Sequence, residues 1–347
     1  MKIRSFENRL GNVLTDALTK TLANALGAVA LLVGTNALAA TYTLPVGTDT
    51  VIGEVQKVVA VHEDTLLDIG RRFGVGYEEI VAANPGVSPW LPGAGTEVVI
   101  PSRYILPDAP REGIVVSLSE HRLFYFPPHK PGEAAVVHTY PISVGRMDWH
   151  TPLGLTRIVN KREKPIWYPP ESVRKEHAAE GRPLPKAVPP GPDNPLGDYA
   201  MRLGIPGGAY LIHGTNRPSG VGMQVTHGCV RMFPEDIKDL YAMVPVNTPV
   251  RLIDQPYKMG WLGGELYMEV HTPLEGTDKT DAHSLTNITK LLVSATQERP
   301  DISTSGAIDW AKAERTFELA SGIPEPVMLR PASVPATVQV ISDSAGR

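Results

Sequence analysis

Cysteine is almost absent from this chain of 347 residues, which contains a single one, Cys229. A lone cysteine has no disulfide partner within its own chain, so its presence must reflect packing, metal binding or reactivity. A basic excess is missing too, since the formal net charge is -4 and no basic patch is evident. That charge argues against a nucleic-acid-binding surface. Internal repeats, phosphate-binding loops and nucleotide fingerprints are also lacking, and we expect no cofactor.

A hydrophobic run long enough to cross a membrane comfortably is lacking as well. The apolar run near the N-terminus covers only residues 22–33. Basic residues precede it, and Ala37-Leu-Ala39 has the small-residue pattern that signal peptidases cleave. We therefore predict that residues 1–39 are a signal peptide and that the protein is exported, with an uncleaved anchor as the alternative.

The lone cysteine is accompanied by two histidines, each followed by glycine: His213-Gly214 and His227-Gly228. The thiolate is the reactive form of cysteine, and a nearby imidazole can take the thiol proton. His213 is the candidate base. The two glycines leave space for a substrate chain, and backbone amides beside Cys229 can stabilise a developing oxyanion. This pattern indicates a thiol active site.

Packing and metal binding also remain open as roles for Cys229. The apolar flanks Val230 and Met232 suit a buried structural cysteine, but a purely structural role does not account for the two His-Gly pairs. His213, His227 and Cys229 are also zinc-ligand types, yet no Cys-x-x-Cys or His-Glu-x-x-His pattern accompanies them. A metal site is the weaker alternative, and we expect none.

The residues around the thiol resemble a known signature. His213-Gly-Thr215, followed by Thr226-His-Gly-Cys-Val-Arg231, is similar to the motif of the L,D-transpeptidases, whose catalytic domain is of the YkuD type. Other segments resemble the Gram-negative members of this family: Gly145-Arg-Met-Asp-Trp-His-Thr-Pro-Leu-Gly154, Tyr199-Ala-Met-Arg-Leu-Gly204 and Gly220-Val-Gly-Met223. The resemblance covers about residues 112–272. Thr226 stands where serine is common, which keeps the hydroxyl group.

The resemblance implies a cysteine acyltransferase of peptidoglycan. Cys229 would attack the third residue of a tetrapeptide stem, expel the terminal D-alanine and leave a thioester, which an amine then resolves. His213 would act as base and then as acid, and the carbonyl of Gly214 would orient its imidazole. His227 is a second candidate for the catalytic site. The location implied is the periplasm.

Substrate contacts are also implied by the resemblance. Arg231 would bind a stem carboxylate, because a guanidinium group matches carboxylates bidentately, although a solvated or internally paired arginine is an open alternative. Thr215, Thr226 and Gly228 would line the same site. The acceptor would be the lysine of an outer-membrane lipoprotein or the diaminopimelate of a second stem. A thiol peptidase or amidase and a non-catalytic glycan-binding scaffold are the alternative functions.

Residues 58–101 show the pattern of a small α+β domain. Strand signals at 58–61 and 97–100 enclose two short predicted helices. Asp64 is predicted to cap the first helix, whose residues Leu66, Ile69 and Phe73 would face a small core. The second helix is predicted over 77–83. This strand-helix-helix-strand order resembles a LysM domain, which implies binding to N-acetylglucosamine-containing glycan strands. A structural spacer is the alternative.

Residues 112–254 are predicted to be a mainly β, β-sandwich-like catalytic domain, because β-rich segments bounded by glycine or proline recur through them. The proline-rich residues 161–198 suppress regular structure, and we interpret them as a lid-like insertion. A helix is expected to start at Pro234, with Glu235 and Asp236 favouring its positive end.

The part of the chain beyond the catalytic domain is predicted to be an ordered extension over 257–327 and a flexible tail over 328–347. The extension contains a strand signal at 265–271 and a helix signal at 307–320. His271 ends that strand, where it is either an ordinary surface histidine or a neighbour of the active site.

Overall fold

The computed structural model describes residues 40–146, 149–207, 210–276, 284–297, 299 and 308–329. The predicted signal peptide and residues 330–347 of the predicted tail lie outside them. Within the described ranges, no helix combines the length and the apolar character needed to cross a bilayer.

The strands, numbered in chain order, are β1 (Ala40–Thr43), β2 (Val51–Gly53), β3 (Gln56–Val59), β4 (Glu97–Ile100), β5 (Arg103–Ile105), β6 (Gly113–Ser117), β7 (Arg122–Phe126), β8 (Val136–Pro141), β9 (Val144–Gly145), β10 (Gly154–Glu163), β11 (Tyr199–Leu203), β12 (Leu211–His213), β13 (Gln224–Thr226), β14 (Val230–Arg231), β15 (Pro249–Ile253), β16 (Tyr257–Leu262), β17 (Glu265–Val270) and β18 (Glu325–Pro326). The helices are α1 (Leu66–Arg72), α2 (Tyr77–Ala82), α3 (Glu171–Ala179), α4 (Pro234–Met243), α5 (Leu285–Gln297) and α6 (Trp310–Leu319).

The predicted catalytic domain is built on a nine-stranded sheet in the order β1-β8-β7-β6-β15-β10-β11-β12-β14. The long strand β10 joins two halves of this sheet, because Gly154–Arg157 pair with β15 and Ile158–Glu163 pair with β11, with a register shift at Ile158/Asn160. Both halves contribute side chains to one core, together with α4. The two halves therefore enclose a common core, in agreement with the prediction of a mainly β, sandwich-like domain.

Strands β6 and β7 are buried on both faces. Ile114 and Leu123 point into the core shared with α4, whereas Val115 and Phe124 point into a second core. Successive side chains of a strand alternate between the two faces of its sheet, so a run of apolar residues without polar interruption is what two covered faces require.

The N-terminal unit (residues 56–100) has the order β3-α1-α2-β4, with β3 and β4 paired antiparallel. Leu66 and Ile69 are buried in its core as expected, but Phe73 is 36% exposed and ends α1. The predicted cap at Asp64 is wrong, since Thr65 caps α1 in a reciprocal pair with Asp68. Asp64 instead accepts hydrogen bonds from the Val61 amide and the Arg72 guanidinium group.

The N-terminal unit is inserted between strands of the main body. β1 precedes the unit in sequence yet pairs with β8 at the edge of the nine-stranded sheet. β2 and β5, which flank the unit on either side, pair with each other. The chain therefore enters and leaves the unit at one place.

The insertion (residues 161–198) contains more regular structure than its prolines predict. β10 continues into it as far as Glu163, and α3 occupies nine residues that precede most of the prolines. Trp167 and Val188 form an isolated bridge, and the side chain of Asn194 donates to the carbonyl of Pro165.

The C-terminal extension forms a three-stranded sheet, β16-β17-β18, with a core to which α5 and α6 contribute. His271 follows β17 and contacts Glu269 at 2.6 Å. It is neither an ordinary surface histidine nor part of the cleft described below, because its side chain is 11% exposed and does not line that cleft.

Candidate active site

The strand pair β12–β14 places the candidate catalytic residues side by side. Ile212 and Val230 are paired in parallel register, and both point into the core. Because side chains alternate along a strand, their neighbours His213, Cys229 and Arg231 point to the opposite face, which lines a cleft. The short motif thus brings a thiol, an imidazole and a guanidinium group together on one face.

His213 is held in one tautomer. Its Nδ1 lies 2.6 Å from the carbonyl oxygen of Gly214, and a carbonyl can only accept, so Nδ1 carries the proton. The other ring nitrogen, Nε2, is then available as a base. Burial, reinforced by the charge of Arg231, lowers the pKa of His213 to about 3, so the imidazole is neutral at rest.

Cys229 is a neutral thiol at rest. Burial raises the pKa of the Cys229 thiol to about 11, although the Leu211 amide and the nearby Arg231 charge oppose that rise. A neutral imidazole beside a neutral thiol is not a preformed thiolate–imidazolium ion pair. Any reaction of this sulfur as a nucleophile would therefore require removal of its proton as the reaction proceeds.

The turn before Cys229 depends on glycine and on a buried hydroxyl. Gly228 has φ +91°, and a Cβ there would lie 3.0 Å from the ring of Tyr210. The Thr226 hydroxyl donates to the carbonyl of Cys229 at 2.6 Å, which uses its proton within the turn. Both residues, predicted to contact substrate, shape the turn that presents the thiol.

The prediction that Gly214 leaves space for substrate is wrong. A Cβ on Gly214 would lie 3.1 Å from the side chain of Ile237 and 3.3 Å from the carbonyl of Leu196. The space beside this glycine is filled by α4 and by the insertion. Its contribution to the site is the carbonyl that fixes the His213 ring.

The cleft has a volume of about 940 Å³ and is large enough for a stem peptide. Its floor includes His213, Cys229 and Arg231. Apolar and aromatic side chains of the insertion form much of its wall, among them Ile166, Trp167, Tyr168, Val173, Leu184 and Leu196. The insertion therefore forms part of the wall of the cleft that contains the thiol.

Glu176 of α3 connects the insertion to the catalytic motif. Its carboxylate binds the guanidinium group of Arg146 and contacts Nε2 of His227 at 2.9 Å. The His227 ring also meets the edge of Trp149 at 5.3 Å between centroids. These contacts, first with Arg146 and then with His227, lower the pKa of Glu176 to about 2. His227 thus holds the insertion in place.

Arg231 is placed to bind an anion in the cleft. No carboxylate of the described residues forms an ion pair with it, and its buried Nε has no hydrogen-bond partner among them. Burial lowers the pKa of Arg231. The internally paired alternative is thus disfavoured. Thr215, also in the cleft wall, uses its hydroxyl oxygen to accept from the Arg217 amide at 2.9 Å.

Another cluster of side chains, away from Cys229, has the residue types and the spacing of metal ligands. Among the described residues, the ligating atoms of Glu120, Glu269 and His271 lie within 4.8 Å of one another. The ammonium group of Lys258 lies 2.9 Å from Glu120 and 2.7 Å from Glu269, so it occupies the position of a cation there. The predicted alternative with His213, His227 and Cys229 does not form such a group.

Comparisons with known proteins agree with the motif. A family model described as YkuD, L,D-transpeptidase catalytic domain, matches residues 111–252. The chain is 41% identical over 251 residues to the probable L,D-transpeptidase YcfS of Escherichia coli strain K12, covering 71% of this chain and 77% of that protein. It is 40% identical over 248 residues to the probable L,D-transpeptidase ErfK/SrfK of Salmonella typhimurium, covering 70% of this chain and 78% of that protein.

Proposed function

Because the chain belongs to the L,D-transpeptidase family of peptidoglycan enzymes, we propose that it transfers an acyl group from a stem peptide to an amine through Cys229. The sulfur attacks the carbonyl on the L-centre of the third residue of a tetrapeptide stem. The bond to the terminal D-alanine breaks, a thioester forms, and an amine then displaces the sulfur. The observation that carries this proposal is the neutral Cys229–His213 pair facing the cleft with Nδ1–H held by Gly214.

His213 transfers a proton in each of the two steps. Nε2 of His213 takes the thiol proton as Cys229 attacks and returns it to the amine of the departing D-alanine. In the second step it takes a proton from the acceptor amine and gives it to the leaving sulfur. Backbone amides beside Cys229 stabilise the oxyanion of each tetrahedral intermediate.

Arg231 is proposed to bind a carboxylate of the stem. Its guanidinium group faces the cleft on the same side of the sheet as Cys229, and no carboxylate of the described residues neutralises it. A buried guanidinium group without a partner carboxylate favours a ligand that supplies one. A stem peptide carries several.

The insertion favours transfer over hydrolysis. Its apolar and aromatic side chains line the cleft that contains the thiol, and a thioester screened by them would be protected from water while an amine enters. We propose that the acceptor is the lysine of an outer-membrane lipoprotein, because the arrangement of segments resembles the anchoring enzymes of the family. Diaminopimelate of a second stem is the other acceptor to be tested.

The N-terminal unit is proposed to be a LysM domain that binds glycan strands. Its strand-helix-helix-strand order supports this proposal, as does the exposed ring of Trp90, which lies 6.5 Å from Tyr77. Exposed aromatic rings of this kind offer an apolar face to a sugar. Export to the periplasm, where peptidoglycan lies, is proposed from the signal sequence.

The test is product and intact-mass analysis with a disaccharide-tetrapeptide donor, supplying a lipoprotein lysine peptide and a second stem in turn. The native protein is expected to release D-alanine, carry an adduct on Cys229 and form a new amide with one acceptor. Cys229→Ala should do none of these, and His213→Gln should acylate far more slowly. A free tripeptide without a new amide would make the protein a hydrolase.

A further inference from the structure

The N-terminal unit is bound to the catalytic region through the backbone of loop 218–223. The first amides of α2, which have no acceptor within the helix, donate across the boundary: Tyr77 to the carbonyl of Val221 and Glu78 to that of Gly222, both at 3.1 Å. A Cβ on Gly76 would lie 2.8 Å from the Cα of Gly222. The two backbones touch at this place, which we call the docking contact, and side chains would separate them.

A buried ion pair reinforces the docking contact. Arg122 of β7 is fully buried, and its guanidinium group lies 2.6 Å from the carboxylate of Glu79 in α2. It also donates to the carbonyl of Gly74 and stacks over the ring of Tyr104 at 4.3 Å. Separating the unit would leave a buried arginine without its partner, which is strongly unfavourable. The docked arrangement is therefore the stable one.

A second, partly exposed ion pair also joins the N-terminal unit to the catalytic region. Arg71 of α1 donates two hydrogen bonds, of 2.7 and 2.9 Å, to the carboxylate of Glu235 in the first turn of α4. Both side chains are partly exposed, at 42% and 35%. This pair can therefore be altered without opening the core of either part.

The loop that receives the unit also borders the active site. The carbonyl of Gly220 accepts from the Ser143 hydroxyl at 2.7 Å, and the backbone of Ser143 pairs with that of Arg231. A Cβ on Gly220 would lie 3.4 Å from the guanidinium group of Arg231. The docked unit thus sits one loop away from the residue proposed to bind the stem.

We infer that the N-terminal unit and the cleft form one fixed binding surface that selects donor stems carried on a glycan strand over free muropeptides. The inference rests on the proposed function and adds the class of donor to it. Two contacts held at a fixed separation strengthen each other only when one ligand reaches both, and a polymer with regularly spaced stems does so. Docking makes Gly76, Arg71 and Glu235 positioning residues for this substrate.

The test compares two donors in full-length protein: a disaccharide-tetrapeptide and intact glycan strands bearing tetrapeptides. The variants are Gly76→Ala, Arg71→Glu, Glu235→Arg and the Arg71→Glu/Glu235→Arg double variant, each checked for native melting behaviour. Because β2 and β5 still tether the unit, we expect each single variant to raise KM for the glycan strands about tenfold with kcat retained. Turnover of the disaccharide donor should change less than about twofold, and the double charge reversal should restore the low KM.

Equal losses on both donors would overturn the inference, because docking would then support only the fold. Unchanged KM on glycan strands in Gly76→Ala and Arg71→Glu would overturn it too, as would a native protein that does not prefer the polymer. Failure of the proposed function is a distinct result: the native protein would release D-alanine from neither donor.

Discussion

Alkylation of Cys229 tests the resting state of the catalytic pair. With a thiol pKa of about 11, about one molecule in ten thousand carries a thiolate at pH 7. An ordinary cysteine, with a pKa of about 8.5, carries about three in a hundred. Thiolates of higher pKa are intrinsically more nucleophilic, which recovers about tenfold. Iodoacetamide should therefore alkylate Cys229 about thirtyfold more slowly than a model thiol at pH 7, with a rate that rises up to about pH 11.

Replacement of the base separates two mechanisms. In a thiolate–imidazolium pair, loss of the histidine would move the alkylation midpoint up by several pH units. His213 is neutral above about pH 3, so His213→Gln should leave the alkylation midpoint almost unchanged while making acylation far slower. Arg231→Gln is a second variant, for which we expect the alkylation midpoint to change. Arg231 lowers the pKa of Cys229, so its loss should raise the midpoint further.

The assay is mass-spectrometric alkylation over time, from about pH 5 to above pH 10, alongside D-alanine release in the same buffers. Acylation should be flat across most of this range, because neither catalytic group titrates between about 3 and about 11. Fast alkylation with a midpoint near neutrality that disappears in His213→Gln would refute the neutral-pair mechanism.

Three further predictions concern other parts of the molecule. Glu176→Ala should free the insertion from Arg146 and His227 and raise the ratio of free tripeptide to new amide severalfold. Glu180→Ala, on the same segment, is the control. An unchanged product ratio in Glu176→Ala would contradict the proposal that the insertion shields the thioester from water. Burial raises the pKa of Asp236 to about 8, so this carboxyl loses its proton at lower pH in the unfolded state than in the folded state. The free energy of unfolding should therefore fall as pH rises from about 4 to 8. Asp236→Asn should flatten that fall and stabilise the protein by about 1–4 kcal/mol at pH 7, as measured by thermal unfolding at a series of pH values. Gly228→Ala should reduce turnover about a hundredfold by displacing the thiol, whereas Gly181→Ala, also at positive φ, should leave it intact in the same D-alanine assay.

The parts of the site that are predictable from sequence are local. His213 ends β12 and Cys229 directly precedes the paired strand β14, and glycine and imidazole next to a lone thiol already indicate a thiol site. Strands β6 and β7 are also predictable, because uninterrupted apolar residues bounded by turns have few alternatives. These features depend on neighbours in sequence.

The features that sequence does not reveal are those that join distant segments. Glu176 lies in a proline-rich stretch and looks like a solvated helix charge, yet its partners Arg146 and His227 come from two other loops. Glu235 fits the pattern of a helix-starting acid, and its partner Arg71 lies 164 residues away in the chain. A carboxylate satisfies local helix rules and a distant partner equally well, so only the tertiary arrangement shows which role it has.

Arg122 is another residue whose distant partner cannot be predicted from the sequence. Its position in Arg122-Leu-Phe-Tyr-Phe126 suggests the polar end of a strand, but it is fully buried and reaches across to Glu79. Because loss of one partner from a buried ion pair is strongly destabilising, docking of the N-terminal unit stabilises β7, the strand that carries Arg122. The burial that raises the pKa of Cys229 leaves little thiolate at neutral pH, so a substrate held beside the thiol gains more than one that meets it by diffusion. The glycan binding that we propose for the docked N-terminal unit would supply such positioning, and this is why we expect the polymer to be the preferred donor.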